Sequence, residues 1–351
     1  MDEKTREKKL RDKRFYKKQL RKKYHIYNLR SFKRRREYFE ATFSRSKIVY
    51  LEQAAPKTFS LLENRDETIA YFNKIDALLR HGTRTHMNFS QIEYTDMPTV
   101  CTLSAYMVDS RPPARFLQVS IPKANRPQFK IWAEAQFENT ILRDRELNYG
   151  SGGFLSRSGH EINTELVGDI LNSTIDYFGH DKRQALNNLS AVINEIVENT
   201  TLHADAEGFV GNLRWLINTR TQSNGNTKVK EYCLIDLGVG VYDSIKANVI
   251  RWNTKSSSIV HRLSGILDEG QQQNVFLSKN IPKGVGSRTN QATRGKGIKH
   301  IYETVQNPVY QQFDIITNKA HVHLKDLSTI NSDSTESFFG TIYYWKIGFN
   351  E

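Results

Sequence analysis

The chain of 351 residues is poor in cysteine and has no long apolar segment. Cys101 and Cys233 are its only cysteines, which excludes a disulfide framework and a cysteine-based zinc cluster. No apolar run approaches the roughly 20 residues that span a bilayer. The N-terminus lacks the apolar segment of a secretory signal, and it is rich in lysine instead of serine, unlike an organelle transit peptide. We therefore predict a cytoplasmic protein without membrane insertion.

Two common nucleotide-binding signatures are missing as well. No G-x-x-x-x-G-K-[ST] occurs, so the chain has no P-loop. A glycine pair precedes a predicted helix at residues 295–297, but no strand leads directly into it, and the third glycine of a Rossmann fingerprint is absent. These two classes of nucleotide site are excluded.

Positive charge is concentrated at the N-terminus. Residues 1–47 carry 19 Lys and Arg against 6 Asp and Glu, a net charge of +13 that equals the net charge of the whole chain. Tyrosines and phenylalanines lie among these bases, and glycine and proline are absent, so we predict a basic helical arm. Such an arm fits contact with the phosphates of DNA or RNA, and it also fits docking on the protein body or on a protein partner.

Residues 48–147 alternate between predicted strands and helices, which is typical of α/β domains. The pattern resembles the small STAS-like domain that often partners bacterial ATPases. Four glycines and three serines at 148–159 then predict a linker. The predicted elements of the small domain are strands at 85–96 and 114–123, a helix at 97–110 and a helix that begins after Pro127.

Residues 160–351 form the second predicted domain. Its polar, glycine-containing stretch at 241–293 is too long for an ordinary connection, and we predict that it is a lid. The other predicted elements are helices at 165–178, 183–204 and 297–305, a hairpin formed by 208–220 and 229–238, and closing strands at 312–320, 321–327 and 338–349.

Polar residues at a spacing of four lie along the helix predicted at 183–204. Glu195, Asn199 and His203 share one edge of that helix, next to an apolar stripe that begins at Ile193. A solvated helix edge explains this arrangement, and so does the wall of a binding site.

A second candidate group lies where a predicted buried strand ends. The stretch LIDLGVG places the carboxylate of Asp236 just before Gly238 and Gly240. A carboxylate at such a point can accept a hydrogen bond from a ligand, and the glycines allow the backbone to approach that ligand closely.

A third group precedes the helix at 297–305. Gly295 and Gly297 are expected to present free N–H groups at the positive end of the helix dipole, and Arg294 and Lys296 add positive charge, a combination that favours phosphate. In the last strand, Thr341 follows a glycine.

The order of these motifs resembles the GHKL ATPase family, which includes DNA gyrase, a heat-shock chaperone, the histidine kinases and MutL. E-x-x-x-N on a helix is followed by D-x-G-x-G after a strand, a long polar lid, G-x-G before a helix and G-T in a late strand. The resemblance covers residues 160–350. It implies a Bergerat fold, an α/β sandwich in which helices cover one face of a mixed sheet and ATP binds between sheet, helices and lid.

The resemblance also implies roles for the helix residues. Asn199 would coordinate Mg²⁺, and Glu195 would orient and deprotonate the attacking water. Glu198 adjoins the asparagine, but Glu195 has the family's spacing. For His203 we expect packing or capping.

The remaining motifs would hold the nucleotide itself. Asp236 would accept the adenine amino group, with Thr341 supporting it nearby. The other implied contacts are those of Gly238 and Gly240 with the base and of Arg294, Gly295, Lys296 and Gly297 with the phosphates. The family often has a further glycine where Ile298 and Lys299 stand here.

We therefore predict a Mg²⁺-dependent ATPase whose lid closure or dimerisation switches engagement of a protein partner or a nucleic acid. A protein kinase of the serine or histidine type or an anti-sigma-like regulator stays open, as does a nucleic-acid-binding regulator that uses ATP only as a ligand. His321 and His323 alternate in a predicted strand, and we interpret them as strand surface. No cysteine or carboxylate cluster accompanies them in the sequence, so no metal site beyond nucleotide-bound Mg²⁺ is predicted.

Overall fold

The computed structural model describes residues 50–80, 83–108, 117–122, 127–134, 153–157, 164–203, 213–224, 226–244, 272–283, 297–328 and 331–350. All of them belong to one compact unit, Tyr50–Glu351. The arm predicted at 1–47 lies outside the described residues. Within the described residues, no helix combines the length and apolar character needed to cross a bilayer.

The described residues form a mixed α/β structure with parallel and antiparallel sheets. The strands are β1 (Leu51–Ala54), β2 (Thr58–Phe59), β3 (Thr85–Asn88), β4 (Tyr94–Thr95), β5 (Leu117–Ser120), β6 (Gly153–Arg157), β7 (Leu213–Asn224), β8 (Thr227–Asp236), β9 (Tyr310–Asn318), β10 (Ala320–His323) and β11 (Phe338–Asn350). The helices are α1 (Arg65–Arg80), α2 (Met97–Val108), α3 (Pro127–Glu134), α4 (Thr164–Phe178), α5 (Leu189–His203), α6 (Gln273–Asn280) and α7 (Gly297–Val305), with a 3₁₀ turn at His180–Lys182.

The N-terminal part has the predicted alternation of strands and helices. β1, β3 and β5 form a parallel sheet in that order, and β2 pairs with β4 in a second parallel ladder. The helices α1 and α2 supply the crossovers that parallel strands require. α2 is enclosed on nearly all sides, with Val100, Cys101 and Ala105 fully buried. The hydroxyls of Thr102 and Ser104 are buried as well, and each donates to a carbonyl one turn earlier in the helix.

The C-terminal part is built on a six-stranded sheet with the order β10–β9–β11–β8–β7–β6. Every pair of neighbours in it is antiparallel. The mixed sheet implied by the family resemblance is therefore wrong for the described strands. One physical reason is that short turns join β7 to β8 and β9 to β10, and such turns can connect only antiparallel strands.

Side chains of the large sheet alternate between two cores. Tyr232 and Leu234 of β8 pack in a core with α4, α5 and α7, whereas Cys233 and Ile235 pack in a second core with α2 and the N-terminal strands. We refer to the first side as the α5 face. The described helices of residues 160–351 all pack on the α5 face, and the opposite face, which is also apolar, is buried by the N-terminal part.

Several predicted boundaries also change. The strand predicted at 85–96 is divided into β3 and β4, which belong to different sheets. Residues 153–157, assigned to the linker, form β6 and pair with the edge of β7, whose backbone groups would otherwise lack strand partners. The helix predicted from residue 183 begins at Leu189 after a series of turns. Asn188 precedes it and its carbonyl accepts the Val192 N–H at 3.0 Å, so this asparagine occupies the helix-start position that its residue type favours.

The range predicted as a lid contains a buried helix. Phe276 and Leu277 of α6 are enclosed in the core of the α5 face, and α6 packs on β10. Its first N–H groups donate to the carboxylate of Asp333, at 2.6 Å from Gln273 and 2.9 Å from Asn274. Residues 245–271 and 284–293 lie outside the described residues, so a lid formed by them stays a prediction.

Gly340 allows β11 to bend where its register with β9 shifts. Its φ of +121° is rarely adopted by other residues, and an added Cβ would lie 2.1 Å from the carbonyl oxygen of Asp236. We expect Gly340→Ala to lower the free energy of unfolding by at least about 2 kcal/mol, measured by urea denaturation.

Gly168→Ala is the matched control. A Cβ at this helical glycine meets nothing within 4 Å, so alanine should leave stability unchanged or raise it by about 0.5–1 kcal/mol. Equal stability of the two variants would contradict the role assigned to Gly340.

Candidate functional site

The helix α5 divides its residues between core and polar edge as its periodicity predicts. Ile193, Ile196 and Val197 are completely buried in the core of the α5 face. Glu195 and Asn199 lie on the neighbouring edge and are only partly exposed. The apolar stripe therefore anchors the helix, and the polar edge is left for other contacts.

That polar edge meets the first residue of α7. A Cβ added to Gly297 would lie 2.8 Å from Glu195 Oε2 and 3.0 Å from both amide atoms of Asn199. Only glycine allows so close an approach without moving those side chains. About 100 residues of sequence separate the two helices, yet the predicted carboxylate, amide and glycine lie together at a helix N-terminus, where backbone N–H groups lack partners within the helix.

Two further observations concern this cluster. Asn199 Nδ2 is buried and has no hydrogen-bond partner among the described residues, an arrangement that costs about 1–3 kcal/mol unless a ligand or water satisfies it. His300 Nδ1 lies 3.4 Å from Glu195 Oε1. His300 was not among the predicted site residues, although its position three residues after Gly297 places it one turn into α7.

A second polar group crosses the ends of three neighbouring strands. Asp236 of β8 is opposite Thr341 of β11, which is opposite Thr317 of β9. The Oγ1 atoms of the two threonines are 3.3 Å apart. By strand alternation all three side chains point to the α5 face, as Leu234 and Tyr343 do. Both polar groups are therefore on the same side of the sheet.

The carboxylate of Asp236 is buried, and its hydrogen bonds only partly offset the cost of ionising it there. Burial raises its pKa to about 7, although hydrogen bonds from the Gly238 N–H, at 2.9 Å, and from Thr341 act in the opposite direction. A carboxyl group held in this way at the edge of a core is typical of functional sites.

Thr317 and Asn318 stabilise the turn after β8 through hydrogen bonds, and neither was among the predicted site residues. The Val241 N–H donates to Thr317 Oγ1 at 2.8 Å, and Asn318 Nδ2 donates to the Val239 carbonyl at 3.0 Å. Gly240 has a φ of +86°, and a Cβ there would lie 2.3 Å from Asn318 Oδ1. In the sequence, the residue type of Asn318 was the only feature that could have indicated its role. Asn318 has a φ of 50° just before β10, a backbone conformation that asparagine tolerates.

Other predicted site residues are not covered by the structure. Arg294, Gly295 and Lys296 lie outside the described residues. His203 ends α5, and its side chain is likewise outside them. Their predicted roles stay predictions.

His321 and His323 differ from their interpretation as strand surface. His321 is buried, and both rings lie beside the buried carboxylate of Asp314. Burial alone would raise the pKa of Asp314, but the neighbouring imidazoles of His321 and His323 hold it at about 2. The prediction failed because Asp314 belongs to β9, and only the pairing of β9 with β10 brings the three residues together.

Comparison with known proteins adds no family. No protein-family model matches the chain, and no curated protein matches it. The resemblance to the GHKL family therefore depends on the motif order and on the geometry described above.

The raised pKa of Asp236 predicts a pH-dependent stability. The carboxyl group is protonated more readily in the folded than in the unfolded chain, so its contribution to stability is complete below about pH 4 and is lost as the pH rises through about 7. Relative to wild type, Asp236→Asn should therefore become more stable as the pH is raised from about 5 to about 8. Urea denaturation at the two pH values measures this, and a constant stability difference would contradict it.

Proposed function

We propose that residues 160–351 bind Mg²⁺ and ATP in a site of the GHKL type and hydrolyse ATP slowly. The observation that carries the proposal is the approach of Gly297 to Glu195 and Asn199. The family resemblance requires these motifs to share one site, and their contact in the structure supports it.

The α5–α7 contact would form the phosphate end of the site. Asn199 has an amide oxygen that can coordinate Mg²⁺, and the N-terminus of α7 favours negative charge. Glu195, one helical turn before Asn199, can accept the proton of a water aligned with the γ-phosphate. His300 lies within reach of Glu195 and would hold its carboxylate in position.

The row of Asp236, Thr341 and Thr317 would form the adenine end. A carboxylate accepts hydrogen bonds, and the 6-amino group of adenine donates them. Guanine carries an oxygen acceptor at the same place, which would face the carboxylate unfavourably. The site should therefore prefer ATP to GTP, and the pocket would have the Bergerat arrangement with the base deep in the sheet.

ATP turnover would change which protein or nucleic acid the chain binds. The predicted lid and dimerisation are means of coupling nucleotide to conformation, and the basic arm at 1–47 would contact DNA, RNA or an acidic protein surface. The N-terminal α/β part, with its STAS-like pattern, covers the opposite face of the sheet and would serve as a second protein-contacting element.

Incubation of the purified protein with Mg²⁺ and ATP labelled at the γ-phosphate tests the activity. Release of labelled phosphate supports the ATPase. Transfer of label to the protein or to an added partner would instead identify a kinase, and absence of both would contradict the proposal. Parallel reactions with DNA and with RNA show whether a nucleic acid stimulates turnover.

Glu195→Ala tests the proposed base. We expect hydrolysis to fall by about 100-fold or more while ATP binding is retained, because general-base catalysis contributes about 10²–10⁴-fold. Phosphate release and equilibrium binding of ATP, measured on the same preparation, separate the two effects.

Glu198→Ala is the matched control, since Glu198 is an exposed glutamate on the same helix. It should hydrolyse ATP like wild type. If the Glu195 variant retains wild-type turnover, or if the Glu198 variant loses it, the assignment of the base is wrong.

Deletion of residues 1–47 tests the arm. The segment holds the entire net positive charge of the chain, so its loss should abolish salt-dependent binding to DNA or RNA. Fluorescence anisotropy with labelled oligonucleotides at several salt concentrations measures this. Unchanged binding by the truncated protein would exclude the arm, and ATP hydrolysis by that protein serves as the control for an intact body.

A further inference from the structure

Asp314, His321 and His323 converge at the β9–β10 edge of the large sheet. We call them the β9–β10 cluster. Asp314 is opposite His323 in the register, and each of the three residues offers one donor atom within 4.8 Å of the other two. The histidine rings have centroids 4.5 Å apart. One carboxylate and two imidazoles are a donor set that divalent transition metals prefer.

The cluster contains a buried polar atom that the protein does not satisfy. His321 is only 5% exposed, and its Nε2 has no hydrogen-bond partner among the described residues. This atom lies 3.6 Å from Asp314 Oδ1, which is too long for a hydrogen bond. Zinc ligands bind at about 2.0–2.2 Å, so two ligands of one ion stand roughly 3–4 Å apart. The separation of His321 Nε2 from Asp314 Oδ1 suits a shared ion, whereas His323 Nδ1 is hydrogen-bonded directly to the same oxygen and has to move away from it when an ion enters.

The surrounding side chains orient these donors. Gln312 Nε2 donates to the second oxygen of Asp314, which leaves Oδ1 directed at the histidines. Asn331 Nδ2 is 3.0 Å from Nε2 of His323, so the far nitrogen of that ring already has a partner. Metal-binding histidines and carboxylates are usually held by such outer hydrogen bonds.

A cavity of about 400 Å³ lies next to the cluster. His321 and His323 line one side, and the start of α1 with Arg65 lines another. A site with three protein donors and adjoining space for water resembles catalytic zinc sites, which keep one position open, more than closed structural sites.

We infer that Asp314, His321 and His323 form a binding site for one divalent transition metal, with Zn²⁺ as the best-suited ion. The ion binds Asp314 Oδ1, His321 Nε2 and His323 Nδ1, and water from the cavity completes its coordination. The site is independent of the proposed ATP site and requires no nucleotide.

Metal binding changes the protonation of His323 in a defined way. Nδ1 of His323 is hydrogen-bonded to Asp314, so its proton must leave when the ion binds. Nε2 of the same ring takes up a proton in exchange through solvent, so the imidazole stays neutral while Nδ1 binds the ion. Asn331 then turns its amide over, so that Oδ1 accepts where Nδ2 had donated.

Zinc titration of the full-length protein tests the inference. Protein without a polyhistidine tag is treated with a chelator, dialysed, and titrated with Zn²⁺ in competition with a chromophoric chelator, in the absence of nucleotide. We expect saturation at one ion per chain. His321→Ala and His323→Ala should each weaken binding by about 100-fold or more. Asn331→Ala should weaken it by about 10–100-fold, as loss of an outer partner does.

His180→Ala is the control, because His180 is exposed and lies far from the cluster in the sequence. It should bind Zn²⁺ like wild type. Absence of saturable binding, or unchanged affinity in both cluster variants, would overturn the site. Circular dichroism checks that the variants fold. If the histidine variants do not fold, the wild-type stoichiometry and the Asn331 variant decide the matter.

Discussion

At Gly297 the helix α7 begins so close to α5 that a single methyl group there would contact the Glu195 carboxylate and the Asn199 amide together. The proposed site depends on this contact. The buried stripe of α5 fixes one side of it, and Ile301 and Val305 of α7, both completely buried, fix the other. The polar groups are therefore brought together by the one apolar core that both helices share, which is the condition for a preorganised site.

The sheet imposes a second constraint. Asp236, Thr341 and Thr317 occupy neighbouring positions on β8, β11 and β9, so strand register alone holds them in a row. Burial of Asp236 opposes its ionisation, and a ligand that donates a hydrogen bond to the carboxylate would compensate for this cost. Without nucleotide, the buried carboxylate of Asp236 therefore lowers the stability of the protein at neutral pH, and the same carboxylate can accept a hydrogen bond from adenine.

Much of the architecture could be predicted from local patterns. Hydrophobic periodicity located α2, α4 and α7, and the helix at 297–305 has the predicted bounds. Motif spacing selected Glu195, Asn199 and Asp236, since each motif lies within one helix or at one strand end. The predictions failed where long-range pairing decides. The directions of the strands and the β9–β10 cluster both depend on which strands become neighbours, and no local pattern specifies that.

The proposed ATP site is tested most directly by equilibrium binding of ATP to the wild-type protein. Binding is measured calorimetrically with Mg²⁺, with a chelator in place of Mg²⁺, and with GTP in place of ATP. We expect saturable binding of one ATP per chain in the presence of Mg²⁺, clearly weaker binding when Mg²⁺ is removed, and weaker binding of GTP. Absence of ATP binding in the presence of Mg²⁺ would contradict the proposed ATP site. Equal affinity for ATP and GTP would contradict the role of Asp236 in recognising adenine.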